Sequence, residues 1–308
     1  MTFKNLLKST VALATLLVAS GAVAADGPNI YKGRAKVYEN LQPESLEAVS
    51  TPKQIMKLGA DNLAPTHIWK VLEHGEKLEC LACIPVVSKL LYNSHPKTRE
   101  ISAWWLRRRI FGVFGPGQVY EQTVNTLANA DARESDRVYA ANALGEFLSV
   151  SGVKHLSKAV VSDESAAVRM AAVAGLERLN SSGTNGELAV ALSDDDEGVR
   201  MAALHASTRI NSFLDVESVV ALVSDSSSLV RRRAAESLGV MKSEDSVASL
   251  IELTSPETES DPAVRGAAVW ALGQIGSADA RDAILAAQED SDPFVRNAAN
   301  IAGRMLRL

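Results

Sequence analysis

Hydrophobic and polar positions recur along the chain at intervals of 31 to 38 residues. An arginine marks the register of each copy, with spacings of 38, 32, 31, 31, 34 and 31 residues. The seven register positions are Arg99, Arg137, Arg169, Arg200, Arg231, Arg265 and Arg296. A period in this range is typical of stacked helical units, because each unit is one supersecondary structure that cannot bury its apolar face alone. The repeat therefore predicts a helical array.

Apolar residues occupy three fixed offsets from these arginines. The residue before the arginine is Val168, Val199, Val230, Val264 or Val295; the third residue after it is Ala140, Ala172, Ala203, Ala234, Ala268 or Ala299; the seventh is Leu106, Leu144, Leu176, Leu238 or Leu272. Ser102, Ser207 and Gly303 are exceptions. These offsets are four residues apart, so they line one face of an α-helix. We expect this face to form the core between stacked helices.

Capping residues predict where these helices begin and end. Asp261-Pro262, Asp292-Pro293 and His95-Pro96 place a cap before a proline at the first helical position, and Ser165, Asp196 and Ser227 hold the cap position elsewhere. Gly145, Gly239 and Gly273 follow the leucine and predict the helix ends. A second helix, such as 244–253 or 278–287, completes each unit. Each unit is therefore predicted to be a helical hairpin.

The order Asp, Val-Arg, Ala-Ala, Leu-Gly resembles the HEAT-like repeats of the phycobilin-lyase type. It is clearest at Asp261, Val264-Arg265, Ala267-Ala268 and Leu272-Gly273, and the resemblance covers about residues 94–308. It implies an all-α, right-handed α-solenoid of about six to seven hairpins that serves as a binding scaffold. It also implies that the arginine row is a structural ladder bonded to acidic residues of adjacent units.

The first 24 residues have the pattern of a secretory signal peptide. Lys4 and Lys8 precede an apolar run at 11–18, and Ala22-Val23-Ala24 forms a small-residue cleavage site. We expect cleavage after Ala24 and a periplasmic or secreted protein without a membrane span; an uncleaved amino-terminal anchor is the alternative.

The rest of the chain divides into an arm and the array. Residues 25–64 are predicted to form an irregular arm that covers the first unit, with a short helix through about residue 58 capped by Thr51. Residues 65–308 form the predicted solenoid, which begins with a degenerate hairpin at 65–73 and 79–92.

The only two cysteines, Cys80 and Cys83, lie in this degenerate hairpin. In an exported chain their pairing predicts a structural disulfide. A redox-active Cys-x-x-Cys remains an alternative, because a thiol at a helix amino terminus has a lowered pKa. A metal site that recruits His74 and His95 is a further alternative, although the spacings match no known ligand set.

The first repeat copy carries an unusual aromatic and basic segment. Trp105 occupies a position that is small in the other six copies, and Trp104 and three arginines adjoin it. One interpretation is a bulky seal at the end of the array. The other is a partner-binding patch, since tryptophan and arginine are favoured at interface hot spots. The candidate residues are Trp104, Trp105, Arg107, Arg108 and Arg109.

The charge balance and the motifs argue against nucleic-acid binding and against catalysis. The chain has 32 basic and 37 acidic residues, and loss of Lys4 and Lys8 leaves 30 against 37, a net charge of −7. None of the five histidines belongs to a metal-binding helix motif, and no nucleophile elbow or phosphate-binding loop is present. The acidic run 194–197 at a helix start suits the helix dipole better than a calcium loop. We expect neither enzymatic activity nor a cofactor.

The predicted function is an exported scaffold that recognises a protein partner through the concave face of the solenoid. We expect this face to be formed by the second helix of each hairpin, around 153–161, 187–192, 216–223, 246–253 and 280–287. A redox or metal-handling accessory protein that uses Cys80 and Cys83 is the alternative. A third hypothesis is a subunit of a complex that docks through Trp104 and residues 107–109.

Overall fold

Sixteen α-helices and several short 3₁₀ turns make up the regular structure of residues 51–60, 63–110 and 117–308, the part of the chain that the computed structural model describes. In order, the helices are α1 (Pro52–Met56), α2 (Pro65–His74), α3 (Ile84–Lys89), α4 (Pro96–Arg107), α5 (Gln118–Ala128), α6 (Glu134–Glu146), α7 (Val153–Ser162), α8 (Ala166–Leu179), α9 (Asn185–Leu192), α10 (Glu197–Ser207), α11 (Val216–Ala221), α12 (Ser228–Met241), α13 (Val247–Glu252), α14 (Pro262–Ile275), α15 (Arg281–Ala287) and α16 (Pro293–Leu306).

The helices stack as an α-solenoid, as the repeat predicts. The arginine-bearing first helices are α4, α6, α8, α10, α12, α14 and α16, and each contacts the next one in the series. The second helices α5, α7, α9, α11, α13 and α15 form the other layer, and each packs on a neighbouring first helix. The predicted signal peptide and residues 25–50 of the predicted arm lie outside the described residues.

The predicted apolar stripe is the core of this array. The five valines before the arginines, the six alanines at the third position after them and the five leucines at the seventh are all fully buried. Ser102 and Ser207, the polar exceptions, are buried as well. Their hydroxyls donate to Thr98 O at 2.7 Å and Leu204 O at 2.9 Å within their own helices. Burial of these hydroxyls therefore leaves no unpaired donor.

The predicted N-caps agree with the structure at most helix starts. Asp261 Oδ1 accepts from Ala263 N at 2.8 Å, and Asp292 Oδ1 accepts from Phe294 N at 2.7 Å. Ser165 and Asp196 accept from the third residue after them. Ser227 stands at the cap position of α12 without a side-chain cap bond.

The predicted helix ends at Gly145, Gly239 and Gly273 are wrong. All three glycines lie inside their helices, and α12 and α14 end two residues later, at Met241 and Ile275. Left-handed residues such as Lys242 (φ 52°) and Gly276 (φ 83°) terminate these helices instead. The three glycines serve a packing role, which the contacts between helices explain.

The amino-terminal part of the described chain matches the expected degenerate hairpin in outline. Thr51 stands at the N-cap position of α1, and α2 packs against α4. The second helix of this unit is shorter than predicted: a 3₁₀ turn at Leu81–Cys83 precedes α3, and another at Leu90–Tyr92 follows it.

Candidate interaction surface

Five of the seven register arginines form close ion pairs with a carboxylate from the loop that follows the second helix of the same hairpin. The N–O distances lie between 2.6 and 3.0 Å, and the pairs are Arg137–Asp163, Arg169–Asp194, Arg200–Asp225, Arg231–Glu259 and Arg265–Asp290. Planar guanidinium groups suit such two-point pairing with carboxylates.

Two consecutive ladder arginines hold each loop that carries a paired carboxylate: one binds the carboxylate, and the next binds a backbone carbonyl. Arg265 grips the Asp290 carboxylate through Nε at 2.8 Å and Nη2 at 3.0 Å, and Arg296 Nη1 donates to Asp290 O at 2.7 Å. The hydrogen bonds from Arg265 hold the pKa of Asp290 below its ordinary value. The same bonds raise the pKa of Arg265. The ladder therefore ties consecutive repeats together, and its paired members are engaged internally.

Small residues let consecutive first helices approach at backbone distance. A Cβ atom on Gly145 would lie 2.8 Å from Gly175 Cα, and one on Gly273 would lie 2.8 Å from Ala302 Cα. The eighth residue after one arginine thus meets the sixth residue after the next, which explains why both positions are small. First helices consequently contact one another more extensively than second helices do.

The closer packing is therefore found in the first-helix layer of the array. The prediction that the second helices form the concave, partner-binding face stays a prediction. The two grooves described below lie on the first-helix layer instead.

A groove of about 410 Å³, here called the C-terminal groove, crosses the surface of α12, α14 and α16. Its lining residues are Arg232, Arg233, Glu236, Val240, Ala263, Gly266, Ala267, Trp270, Phe294, Asn297, Ala298 and Ile301. All of them belong to the first-helix layer or its helix starts.

Large apolar side chains are exposed along this groove. Val240 is 59% exposed, Phe294 58% and Ile301 39%, and the half-buried ring of Trp270 lies between them on the lining. Gly266 provides the space for Phe294, because a Cβ atom there would overlap the phenylalanine ring. An apolar patch rimmed by polar residues is typical of an interaction site.

One side of the C-terminal groove carries excess positive charge. Arg232 and Arg233 share the single carboxylate of Glu236, at 3.5 and 3.3 Å. Both pairs are partly exposed, so solvent screens them and leaves the guanidinium groups accessible. The groove therefore offers apolar contacts next to donors that suit a carboxylate.

A second groove of about 290 Å³, here called the N-terminal groove, lies on the same layer between α4, α6 and α8. Tyr139 and Asn142 line it, and Arg178 pairs there with Glu146 at 3.1 Å. Its lining also includes Arg99, one of the two ladder arginines without a carboxylate partner in the described residues; Arg296 is the other.

The predicted aromatic and basic patch is not assembled as a surface. Trp105 is fully buried and Arg109 is 6% exposed. Trp105 Nε1 donates to Gly75 O at 2.9 Å, and Arg109 donates to Trp105 O and to carbonyls at the end of α2. Burial lowers the pKa of Arg109 to about 10.

The other three candidate residues of that patch differ in how exposed they are. Arg108 is exposed and approaches Glu76 at 3.4 Å, whereas Trp104 and Arg107 are half-buried. The tryptophan at this otherwise small position lies against the end of α2, where its indole N–H satisfies the Gly75 carbonyl. The hypothesis that all five residues form one exposed patch is therefore corrected, because Trp105 and Arg109 are buried at the junction with the end of α2.

Cys80 and Cys83 are joined in a disulfide. Cys80 stands in extended conformation at the N-cap of the 3₁₀ turn, and Cys83 is fully buried. The bond therefore spans the start of the turn and is not within a regular α-helical turn. No group of three or more His, Cys, Asp or Glu side chains converges in the described ranges.

The acidic run at 194–197 takes part in the ladder and in capping. Asp194 is bonded to Arg169 at 2.7 Å, and Asp196 Oδ1 accepts from Val199 N at 3.2 Å. None of the helices among the described residues has the length and apolar content needed to cross a membrane.

Comparison with protein families agrees with this geometry. A model of HEAT repeats matches residues 121–206, 153–223 and 216–302, which together cover more than half of the chain. The chain belongs to the HEAT-repeat family. It is an α-solenoid of the kind that generally serves as a protein-interaction scaffold. No curated protein sequence matches the chain.

Solved structures with low sequence identity share the fold. YibA from Escherichia coli is 17% identical over 91% of this chain and 98% of its own, with a TM-score of 0.54. A chain from the complex of Kap95p with RanGDP is 13% identical over 92% of this chain and 44% of its own, with a TM-score of 0.64. A chain from the complex of CpcE and CpcF of phycocyanin lyase from Nostoc sp. PCC7120 is 20% identical over 72% of this chain and 94% of its own, with a lower TM-score of 0.39.

The residues that make the C-terminal groove lie outside the pattern that predicts the core. Val240, Trp270 and Ile301 stand at the ninth and fifth positions after their arginines, outside the buried stripe. At the fifth position the other copies have Trp104, Asn142, Ala174, His205 and Glu236. The detectable signal was a large apolar residue at an offset that should face solvent.

Proposed function

We propose that the chain is an exported scaffold that binds a protein segment along the first-helix layer, with the C-terminal groove as the anchor. The observation that carries this proposal is the exposed apolar cluster of Val240, Trp270, Phe294 and Ile301 on one continuous surface. Water contact with such a cluster is unfavourable by roughly 25 cal/mol per Å² of apolar area, so a partner that covers it gains affinity.

The groove chemistry specifies the partner segment. A large apolar side chain of the partner fills the space between Trp270 and Phe294. A neighbouring carboxylate of the partner pairs with Arg232 or Arg233, since these two cations share one carboxylate, that of Glu236, within the described part of the chain. Tryptophan and arginine together are the residue types that most often carry interface affinity.

The proposed activity is binding without catalysis, outside the cytoplasm. The signal-like segment 1–24 motivates export, and the buried disulfide between Cys80 and Cys83 fits an oxidising compartment. The burial of both cysteines favours a structural bond over a redox role. The amino terminus of the purified envelope protein tests export: a mature chain that starts after Ala24 is expected, and a chain that retains residues 1–24 contradicts cleavage.

Site-directed photocrosslinking tests the binding surface. Ile301 on α16 and Leu285 on the second helix α15 are 39% and 40% exposed, so they form a matched pair. A photoreactive phenylalanine analogue at 301 is expected to capture a defined partner in envelopes, and the analogue at 285 is not. The Trp270→Ala change should abolish the crosslink from 301. Equal capture from both positions, or capture that survives Trp270→Ala, contradicts the proposed surface.

A further inference from the structure

Arg99 differs from the five paired ladder arginines on one edge of its guanidinium group. Its Nη1 donates to Asn93 O at 2.7 Å and Ser94 O at 2.9 Å, as the Nη1 of Arg169 donates to two loop carbonyls. The Nε and Nη2 edge holds a carboxylate in Arg169 but none in Arg99 among the described residues.

The loop after α5 explains the missing partner. Asn129 Oδ1 accepts from Asp131 N at 3.1 Å, much as Asp163 Oδ1 accepts from Ser165 N at 2.9 Å in the next repeat. An amide thus stands where the next loop has a carboxylate. The loop from this residue to the following arginine is two residues longer than its counterpart, and Asp131 is exposed without an ion pair to Arg99.

Arg99 lines the N-terminal groove. Its guanidinium carbon lies 4.0 Å from the ring centroid of Tyr139, which fixes the plane of the group by cation–π stacking. Glu146, a carboxylate of this groove, is already paired with Arg178 at 3.1 Å, and Glu100 is exposed. Arg99 is therefore a preoriented cation that lacks the ligand its register normally holds.

We propose that Arg99 binds an acidic side chain of the protein segment that lies along the first-helix layer. The five internal pairs define the ligand, because the same arginine register takes a carboxylate at 2.6–3.0 Å wherever the chain supplies one. The groove of about 290 Å³ has room for one such side chain. The choice of a protein segment as the source rests on the proposed function, whereas the carboxylate chemistry does not.

NMR of arginine Nε–Hε groups in the full ¹⁵N-labelled chain tests this site. The Arg99 signal is assigned by its loss in Arg99→Lys. Three probes are titrated: the peptide Ac-Ala-Ala-Glu-Ala-Ala-amide, its Gln analogue, and free glutarate. The Glu peptide is expected to shift the Arg99 signal saturably and to bind about tenfold more tightly than the Gln analogue, because a charge-assisted bond is lost in the latter.

Asn129→Asp provides the internal competitor. It supplies the missing carboxylate, so it should shift the Arg99 signal without ligand and weaken binding of the Glu peptide about tenfold. The matched change Asp131→Asn should leave binding unaltered. An Arg99 signal that does not move when the Glu peptide is added overturns the proposal. So does an Arg99 signal that, without ligand, differs between Asp131→Asn and the unaltered chain, because Asp131 would then be the partner of Arg99.

The NMR titrations and the photocrosslinking experiment together distinguish failure of this inference from failure of the proposed function. Response to glutarate without response to the Glu peptide overturns the protein source of the carboxylate. Photocrosslinking from 301 that persists in Arg99→Gln with unchanged partner affinity overturns the Arg99 contact but leaves the groove proposal standing. A peptide-dependent Arg99 shift without any groove-specific crosslink supports the carboxylate site and contradicts the C-terminal anchor.

Discussion

A Cβ atom placed on Gly239 would lie 2.8 Å from the Cα atom of Ala271 on the next first helix. The two residues are the eighth and sixth after their respective arginines, the same pair of positions that bring Gly145 to Gly175 and Gly273 to Ala302. Backbone therefore packs against backbone at these three junctions. The spacing of the first-helix layer therefore depends on glycine or alanine at these positions.

The change Gly239→Ala should destabilise the fold. The added methyl meets backbone that has to move, and overpacking of this kind costs about 1–3 kcal/mol, more than the roughly 1 kcal/mol gained from helix propensity. Urea unfolding measures the difference. The matched change Gly186→Ala lies in helix α9, where an added Cβ meets nothing within 4 Å, and should stabilise by up to about 1 kcal/mol. The same sign for both variants would contradict the close-approach role.

Asp290→Asn should cost about 3 kcal/mol in the free energy of unfolding, because it leaves Arg265 as a buried cation without its counter-charge. The two side chains are 4% and 2% exposed, so water does not replace the lost partner. Asp136→Asn, which breaks the exposed pair with Arg133, is the control and should leave the denaturation midpoint nearly unchanged. A small effect at Asp290 would mean that the ladder contributes little to stability.

The ladder also predicts a loss of stability in acid. Hydrogen bonds from Arg265 lower the pKa of Asp290, and those from Arg231 lower the pKa of Glu259. The unfolded chain therefore binds protons first, so the contribution of these groups is complete above their unfolded pKa values of about 4 and is lost as the pH falls toward their lower folded values. Denaturation midpoints measured from pH 7 to pH 3 should decline below about pH 5. Asp290→Asn should flatten that decline, and an unaltered slope would assign it to other groups.

The disulfide should stabilise the amino-terminal hairpin without any part in binding. Closure of such a short loop contributes about 2 kcal/mol in the chain-entropy account, so the double change Cys80→Ala with Cys83→Ala should lower stability by about this amount. Alkylation of the native protein under mild reductant should be slow, because Cys83 is fully buried. Rapid reduction of the native bond, or partner binding lost in the double variant at a temperature where it stays folded, would favour the redox alternative.

Trp270→Ala should weaken partner binding at least about thirtyfold, the effect of losing a hot-spot residue worth about 2 kcal/mol. Leu285→Ala removes a comparably apolar side chain from the second-helix layer and should leave affinity unchanged. Titration calorimetry with the crosslinked partner, once purified, measures both variants. Equal losses of affinity in the two variants would contradict an interface confined to the first-helix layer.

Much of the fold was predictable because an arginine marks the same position in every copy of the repeat. The valine, alanine and leucine offsets name buried residues correctly, since a helical face that repeats along the chain has to be covered by the next copy. Capping residues located most helix starts for an equally local reason. The helix ends failed, because glycine serves both as a left-handed cap and as a point of close approach, and local sequence does not separate these uses.

The partner surface was less predictable. Trp104, Trp105 and residues 107–109 looked like an exposed patch, yet Trp105 and Arg109 are buried against the carbonyl ends of α2. The C-terminal groove instead combines residues from three helices more than 60 positions apart in sequence, from Arg232 to Ile301. Such a surface exists only after the helices stack.

The sequence by itself determined that this chain is a stack of helical hairpins, because periodic burial and capping are properties of each short segment. Tertiary structure decided which helix layer packs more closely, which ladder arginines lack a carboxylate among the described residues, and which apolar residues stay exposed. Those outcomes depend on distances between segments, and a few methyl groups at the crossings of neighbouring helices are enough to change them.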